Sequence, residues 1–204
     1  MTSRFATASL STALVAAALT VSGPPPATAG DELPSQVVLH DGPGDVRQWV
    51  ADDQAWVAAD LPESDVLRAR VRHGRGALKI RMLFADLRRI GDEQTFRAVV
   101  KTPRSMYGSA ITVVPGAWRG RVSLADFTRE AVWRCPGYGH VVDYSDNQVR
   151  IRVPRDCLGK PDWLRVNITN DFGSDGDGVH IDNPHKRSVR SGFTQRLHRS
   201  SPRH

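Results

Sequence analysis

Six aspartates in two loop-like stretches are the residues whose type and spacing best suit metal chemistry. Asp41 and Asp45 flank a glycine-containing turn. A later stretch rich in glycine and aspartate, residues 171–185, contributes the other four: Asp171, Asp175, Asp177 and Asp182. Calcium takes about six to eight oxygen ligands, which loops dense in carboxylates and carbonyls can supply. The spacing does not match an EF-hand, whose loop ends in glutamate, so two interpretations stay open: a calcium site, or solvated aspartates in turns.

Three tryptophans are candidates for stacking against a sugar or another flat ligand. Trp49 and Trp56 lie in an acidic, loop-like segment, and Trp118 lies farther along the chain. Indole rings also pack well over the edge of a hydrophobic core. Their burial or exposure therefore decides between a structural and a ligand-stacking role.

The sequence contains none of the common catalytic motifs. G-x-S-x-G, H-E-x-x-H, G-x-x-x-x-G-K-[ST] and C-x-x-C are all absent. The four glutamates have no recognisable glycosidase setting, although a catalytic pair of aspartates stays open. We therefore assign no catalytic residue, and a binding role is favoured over a reaction.

Residues 140–153 carry the clearest β-hairpin of the chain. Asp146-Asn147 is predicted to form a two-residue turn, because both residue types tolerate the positive φ that such turns need. In that register Val142 faces Ile151, and the apolar residues of both strands lie on one face.

The two cysteines are predicted to form a disulfide at the open end of this hairpin. The same register brings Cys135 to within about one residue of Cys157, and the chain has no other cysteine. A loop of this size stabilises the fold by roughly 3 kcal/mol in the chain-entropy description. Two buried free thiols are the alternative, and the oxidising compartment indicated by the N-terminus favours the disulfide.

Alternation of apolar and polar residues predicts strands along most of the chain from residue 65 onward. Residues 66–73 and 77–84 form a second hairpin, with arginine and lysine on its solvent face. Other strands are predicted at or around residues 36–40, 96–100, 111–113, 119–124, 130–134 and 164–168. No helix is convincing; residues 48–59 and 124–132 are the best weak candidates. We predict an all-β domain: a single antiparallel β-sandwich, jelly-roll or immunoglobulin-like, with about eight to ten strands and one disulfide.

Both ends of the chain differ in composition from the body. Residues 1–29 have a basic start, an apolar run and an A-x-A site, which predict a cleaved signal peptide and a secreted protein. The apolar run is too short for a stable membrane anchor, so we expect no transmembrane segment in the mature protein. Residues 30–185 are predicted to form the sandwich domain, and residues 186–204 a basic, largely disordered tail.

The net charge of +6 is concentrated in that tail, which holds six basic residues and no acid. Residues 30–185 hold 21 basic and 22 acidic residues, so we expect no broad cationic surface on the body and no binding to nucleic acid. The tail is either an inert end or a means of loose adhesion to anionic wall polymers or membrane surfaces.

Several short motifs, together with the signal peptide, resemble a largely uncharacterised group of small secreted proteins from high-GC actinobacteria. The motifs are Gly44-Asp45-Val46, Phe84-x-Asp86-Leu87, Arg134-Cys135, Pro154-Arg155-x-Cys157-Leu158-Gly159-x-Pro161-x-Trp163 and Asp182-Asn183. The resemblance implies an exported β-sandwich and no particular activity. A fainter similarity, of architecture alone, is to carbohydrate-binding or ligand-binding sandwich modules.

These observations favour a secreted, non-catalytic binding module, loosely associated with the cell envelope and acting as a monomer. Its expected partner is a cell-wall polymer or a carbohydrate, with no cofactor unless calcium binds. A secreted hydrolase and an inhibitor-like or structural protein are the alternatives. An exposed row of aromatic residues would indicate sugar binding, and a deep pocket with paired titratable groups would indicate an enzyme.

Overall fold

The computed structural model describes residues 33–174, 178–185 and 192–200. The expected signal peptide lies outside the described residues. Within the described part of the chain, no helix is long and apolar enough to cross a membrane.

Two antiparallel sheets pack face to face, which confirms the predicted β-sandwich with one disulfide. Strands are numbered in chain order. The five-stranded sheet consists, from edge to edge, of β1 (Gln36–His40), β4 (Val66–His73), β5 (Ala77–Phe84), β11 (Gln148–Pro154) and β10 (Gly139–Asp143). The nine-stranded sheet consists of β3 (Ala55–Ala58), β2 (Arg47–Val50), β13 (Gly178–Asp182), β12 (Trp163–Ser174), β6 (Glu93–Lys101), β7 (Met106–Val113), β8 (Arg121–Asp126) and β9 (Ala131–Val132), with β14 (Leu197–His198) paired to β12. One short 3-10 helix spans Arg155–Leu158.

The core lies between the sheets and is built from alternate residues of the long strands. Phe84 on β5 and Phe96 on β6 meet edge to face across it, with ring centroids 5.5 Å apart. Full burial of one such side chain is worth about 1.5–3 kcal/mol relative to exposure. The strict alternation on β5 and β11 leaves every second residue facing solvent.

The described residues form fourteen strands, more than the eight to ten predicted. β2 and β3 occupy most of the region 48–59, one of the two weak helix candidates. The other weak candidate, 124–132, contains the end of β8 and all of β9. Residues 171–174 and β13 form a hairpin in the stretch expected to be loop, because backbone pairing with β12 does not require apolar side chains.

The β10–β11 hairpin has a four-residue connection, 144–147, instead of the predicted two-residue turn. Val142 pairs with Val149, so the register differs from the prediction by two residues. Tyr144 leaves the ladder, and its hydroxyl donates to the backbone carbonyl of Trp118 at 3.0 Å. Because the side-chain period of a strand is two, the same residues still face the core.

The predicted disulfide between Cys135 and Cys157 is present, with a Cα–Cα distance of 5.3 Å. The indole Nε1–H of Trp133 donates to the carbonyl of Cys157 at 3.1 Å. The bridge therefore joins the segment before β10 to the 3-10 helix after β11.

Residues 192–200, assigned to the tail on composition, pack on the sandwich. Leu197 is completely buried, and Thr194 donates its N–H to the carbonyl of Val166 at 2.8 Å. His73 Nδ1 lies 3.0 Å from the carbonyl oxygen of Leu197, which links β4 to β14. One buried leucine and a few backbone hydrogen bonds thus hold this part of the basic segment against the sandwich.

Replacing both cysteines, Cys135→Ser/Cys157→Ser, should lower the free energy of unfolding by about 3 kcal/mol, because the unfolded chain regains the freedom of a 22-residue loop. Urea unfolding of the two proteins measures the difference. The oxidised parent should also lose stability on reduction, whereas the double variant should not. Equal midpoints for the parent with and without reductant would contradict this prediction.

A second prediction concerns His73, which is completely buried and whose Nε2 has no hydrogen-bond partner among the described residues. Burial lowers the pKa of His73 below its ordinary value of 6.5, and nearby cationic side chains add to this effect. Near pH 6.5 and below, the unfolded chain therefore binds a proton at His73 that the folded chain does not bind. The stability present above pH 6.5 should fall as the pH drops below 6.5, with a slope approaching about 1.4 kcal/mol per pH unit.

The variant His73→Gln removes this titration, so the stability that the parent loses relative to the variant should grow as the pH drops from 7 to 5. Urea unfolding at several pH values measures it. His185, whose pKa burial lowers to about 4, contributes a decline of the same sign and stays intact in the variant. Asp182, whose pKa is raised to about 7, contributes a change of the opposite sign in this range and also stays intact in the variant. Parallel profiles for the parent and His73→Gln would show that His73 does not supply the effect.

Candidate functional site

Three of the six aspartates predicted as calcium ligands come together at one end of the sandwich. Asp41 and Asp45 lie in the loop that leaves β1 in one sheet and enters β2 in the other, and Asp182 is the last residue of β13. One carboxylate oxygen from each lies within 4.8 Å of the others. Asp182 is buried, Asp41 half-buried and Asp45 exposed, so the group opens to solvent on the Asp45 side.

Backbone hydrogen bonds hold the loop and the strand ends in this arrangement. The N–H of Asp41 donates to the carbonyl of Leu67 on β4 at 3.0 Å. Gly44 adopts a φ of +77°, which glycine tolerates without strain, and its N–H donates to Asp65 Oδ2 at 2.8 Å. Asp182 Oδ2 accepts the N–H of Val66, the first residue of β4. The group therefore joins the two sheets through both backbone and side chains.

Asp65 is a fourth carboxylate of this region and was not among the predicted ligands. Its side chain is 3% exposed, and its Oδ1 has no hydrogen-bond partner in the described part of the chain. Asn170 Nδ2 donates to the carbonyl and hydroxyl of Ser64 at 3.0 and 2.8 Å, which fixes the turn just before Asp65. No spacing in the sequence points to Asp65, because it meets Gly44 only through the pairing of β1 with β4.

Two of these carboxylates, Asp65 and Asp182, have raised pKa values. Burial, and then the charges of Asp41, Asp45 and Asp65, raise the pKa of Asp182 from 3.8 to about 7, although the Val66 N–H acts in the opposite direction. Burial also raises the pKa of Asp65, with Asp45 adding to the effect. Negative charge at this end of the sandwich therefore raises the free energy of the folded state, and binding of a proton or a cation would lower it.

Of the other three predicted ligands, the one that the structure describes, Asp171, does not join this group. Asp171 forms an ion pair with Arg97 on the neighbouring strand. Because Asp182 pairs with Asn170, the alternation along β12 places Asp171 on the opposite face of the sheet. Asp171 is therefore not part of this group, and Asp175 and Asp177 lie outside the described residues.

The three tryptophans do not form one ligand-stacking surface. Trp49 on β2 and Trp56 on β3 are half-buried partners at one edge of the nine-stranded sheet, with ring centroids 5.4 Å apart. Trp118 lies in the connection between β7 and β8, toward the other edge, and packs at right angles to Tyr144. All three rings take part in packing, and these three tryptophans do not form the exposed aromatic row that would indicate sugar binding.

The outward face of the five-stranded sheet carries a dense group of cations, which we call the cationic face. Its members are all exposed side chains: Arg68, Arg70, Arg72, Lys79, Arg81, Arg150 and Arg152. Asp143 is the acid on the outward positions of these five strands. The expectation of no broad cationic surface on the body is therefore wrong, because a near-zero total charge does not fix where the charges lie.

Strand register aligns six of these cations in two rows of three across β4, β5 and β11. The first row is Arg70, Arg81 and Arg150, and the second row is Arg72, Lys79 and Arg152. Neighbouring strands lie about 4.8 Å apart, and successive outward residues about 6.6 Å apart along a strand. Like charges directly opposite each other destabilise a sheet, so these rows carry a cost in stability.

Few of these charges are neutralised within the described structure. Arg150 Nη2 lies 3.6 Å from Asp143 Oδ2, and Arg152 Nη1 donates to the carbonyl of Gly137 at 2.9 Å. The remaining five have no ion pair or side-chain hydrogen bond to any described residue. An open cavity of about 590 Å³ lies over both rows and extends to Gln36, His140 and Val141. The cationic face is thus accessible along its length.

Comparisons of the chain with protein-family models, with curated protein sequences and with solved structures gave no match. The resemblance to actinobacterial secreted proteins therefore stays an expectation from the sequence. Function is argued below from the two charged regions.

The alignment of like charges in the two rows predicts that reversing one of these charges stabilises the fold. In Arg81→Glu, the central residue of the first row faces Arg70 and Arg150 with opposite charge, so the free energy of unfolding should rise by about 0.5–1 kcal/mol at low salt. The gain should shrink as salt screens the charges. Arg121→Glu, an exposed site on β8 of the other sheet, is the matched control. Equal effects of the two changes in urea unfolding would contradict the proposed repulsion.

Proposed function

We propose that this protein is a non-catalytic binding module that acts outside the cytoplasm and binds an anionic polymer on its cationic face. The observation that carries this proposal is the alignment of six cations in two rows, five of them arginines. The proposal keeps the expected cell-wall partner but moves the principal contact from the basic tail to the sheet.

Arginine is the residue best suited to this task. Its planar guanidinium binds carboxylate or phosphate oxygens through two parallel hydrogen bonds and is less strongly hydrated than the ammonium of lysine. An anionic polymer placed along a row would neutralise neighbouring charges that now repel one another. The stability cost of the rows is consistent with a surface kept for binding.

The shape and composition of the cationic face favour an extended anionic chain over other ligands. The cavity above it is broad and open, unlike the enclosed pockets that surround small molecules. The outward positions of β1, β4, β5, β10 and β11 hold no Phe, Tyr or Trp. Neutral sugars and single-stranded nucleic acids are usually bound by stacking on such rings, so both fit this face less well.

Export is supported by two features of the chain. Residues 1–29 have the pattern of a signal peptide, and Cys135–Cys157 is the kind of bond that persists in oxidising compartments. The basic tail adds to the attraction for an anionic envelope, although Arg196 lies over the ring of Trp163, 4.6 Å from its centroid. Attachment by both regions would be sensitive to salt.

The alternative of a secreted hydrolase receives less support. Two carboxylates, Asp126 and Asp156, line one described cavity. Asp126 accepts backbone N–H groups of its own turn, and Asp156 pairs with Lys160. Asp65 and Asp182 have raised pKa values, but each is only 3% exposed, so a polymeric substrate cannot reach them.

Binding of the mature chain to fluorescently labelled polyphosphate and poly-L-glutamate, measured by anisotropy at low and high salt, tests the proposal. We expect binding to both at low salt and a steep loss of affinity as salt rises. Arg72→Glu and Arg81→Glu should each weaken binding about tenfold, close to 1.4 kcal/mol, and Arg121→Glu less than twofold.

Three outcomes would overturn the proposal. Equal weakening by Arg81→Glu and Arg121→Glu would show general attraction rather than a site. Tighter binding to neutral dextran than to polyphosphate would assign the cationic face to a different ligand class. So would tighter binding to duplex DNA than to polyphosphate at matched phosphate concentration.

A further inference from the structure

The geometry of Asp41, Asp45 and Asp182 is that of ligands to a single metal ion. Two oxygens bound to one calcium ion cannot be farther apart than about twice the Ca–O distance, roughly 4.6–5.2 Å. The contributing oxygens of these three residues lie within 4.8 Å of one another, inside that limit. They come from a loop and from a strand end 137 or more positions away in the sequence, so the fold itself assembles them.

Asp65 provides a second, independent indication of a ligand. It is 97% buried, since only 3% is exposed, and its Oδ2 is held by the N–H of Gly44 in the same loop as Asp41 and Asp45. Its Oδ1 is buried without a hydrogen-bond partner in the described residues. A buried carboxylate oxygen in this state is costly, and native proteins almost always supply such an atom with a partner.

The chemistry of the donors identifies the class of ion. Asp45, Asp65 and Asp182 form no ion pair with a basic side chain of the described chain. The group contains no histidine or cysteine, which zinc and copper prefer. Hard carboxylate oxygens beside an exposed turn suit calcium better than magnesium, which demands compact octahedral geometry.

We infer that Asp41, Asp45 and Asp182 bind a calcium ion, with Asp65 adding charge beside it, and that this ion fastens the two sheets at the β1–β2 crossover. The loop 41–45 leaves the five-stranded sheet, Asp182 belongs to the nine-stranded sheet, and Val66 of β4 donates to Asp182. A bound ion would join all three. This inference is independent of the proposed function, because the cationic face contains none of these residues.

The inference is tested by thermal unfolding of the mature chain, measured once in EDTA and once with calcium at about 100 times its dissociation constant. Calcium should raise the melting temperature by roughly 5–10 °C. Asp45→Asn, at the exposed side of the group, should lose most of that increment. Asp171→Asn is the matched control, because Asp171 lies on the opposite face of the sheet and should leave the increment unchanged.

Asp182→Asn gives the sharpest result. Its side-chain oxygen still accepts the N–H of Val66, but the buried negative charge is gone. In EDTA this variant should therefore melt above the parent, and calcium should add little. A purely structural role for Asp182 would instead make the variant less stable in both conditions.

Calorimetric titration of calcium into the EDTA-treated, desalted parent gives the direct readout, and we expect one site per chain that Asp45→Asn weakens at least tenfold. Identical melting of the parent in EDTA and calcium, or an increment retained in both Asp45→Asn and Asp182→Asn, would overturn the inference. A larger increment from magnesium than from calcium at equal concentration would overturn the choice of calcium. Polymer binding measured in EDTA reports on the cationic face separately.

Discussion

The packing of β4, β5 and β11 against the nine-stranded sheet is the constraint on which the cationic face depends. Burial of Val71, Ile80 and Ile151 fixes which side of each strand faces the core. Because strand side chains alternate with a period of two, the residues between them must point to solvent. Backbone pairing then fixes the register, and two rows of cations result. The interactions that form the core therefore also set the geometry of the charged surface.

Part of the charge in this protein is separated in space, although local ion pairs also occur. The acids Asp41, Asp45, Asp65 and Asp182 gather where the chain passes between the sheets, while the arginines cover one sheet face. A total near zero for residues 30–185 hides both regions. Each region destabilises the folded state. In the aspartate group the cause is desolvation and mutual repulsion, and on the cationic face it is repulsion between neighbouring strands. Stored costs of this kind are typical of surfaces and sites that a ligand completes.

Local patterns in the sequence were sufficient to predict the sandwich, the disulfide and both hairpins, because alternation and turn chemistry act over a few residues. The β10–β11 register was missed by two residues, since the bond from Tyr144 to Trp118 is a tertiary contact. β13 and β14 were missed because both are short and lie in stretches dominated by glycine and aspartate or by basic residues. Asp65 and the aligned arginines depend on which strands become neighbours, and short-range patterns do not contain that information.

The disulfide has a position that matters for the cationic face. Arg150 and Arg152 lie on β11, and Cys157 follows that strand by a few residues. The bridge to Cys135 constrains the β10–β11 hairpin, which supplies Arg150 and Arg152, one residue of each row. Its contribution of about 3 kcal/mol exceeds the few tenths to about 1 kcal/mol expected for one cross-strand repulsion. A sheet that keeps like charges opposite one another is therefore constrained by a covalent bond beside them, which offsets the repulsion within the rows.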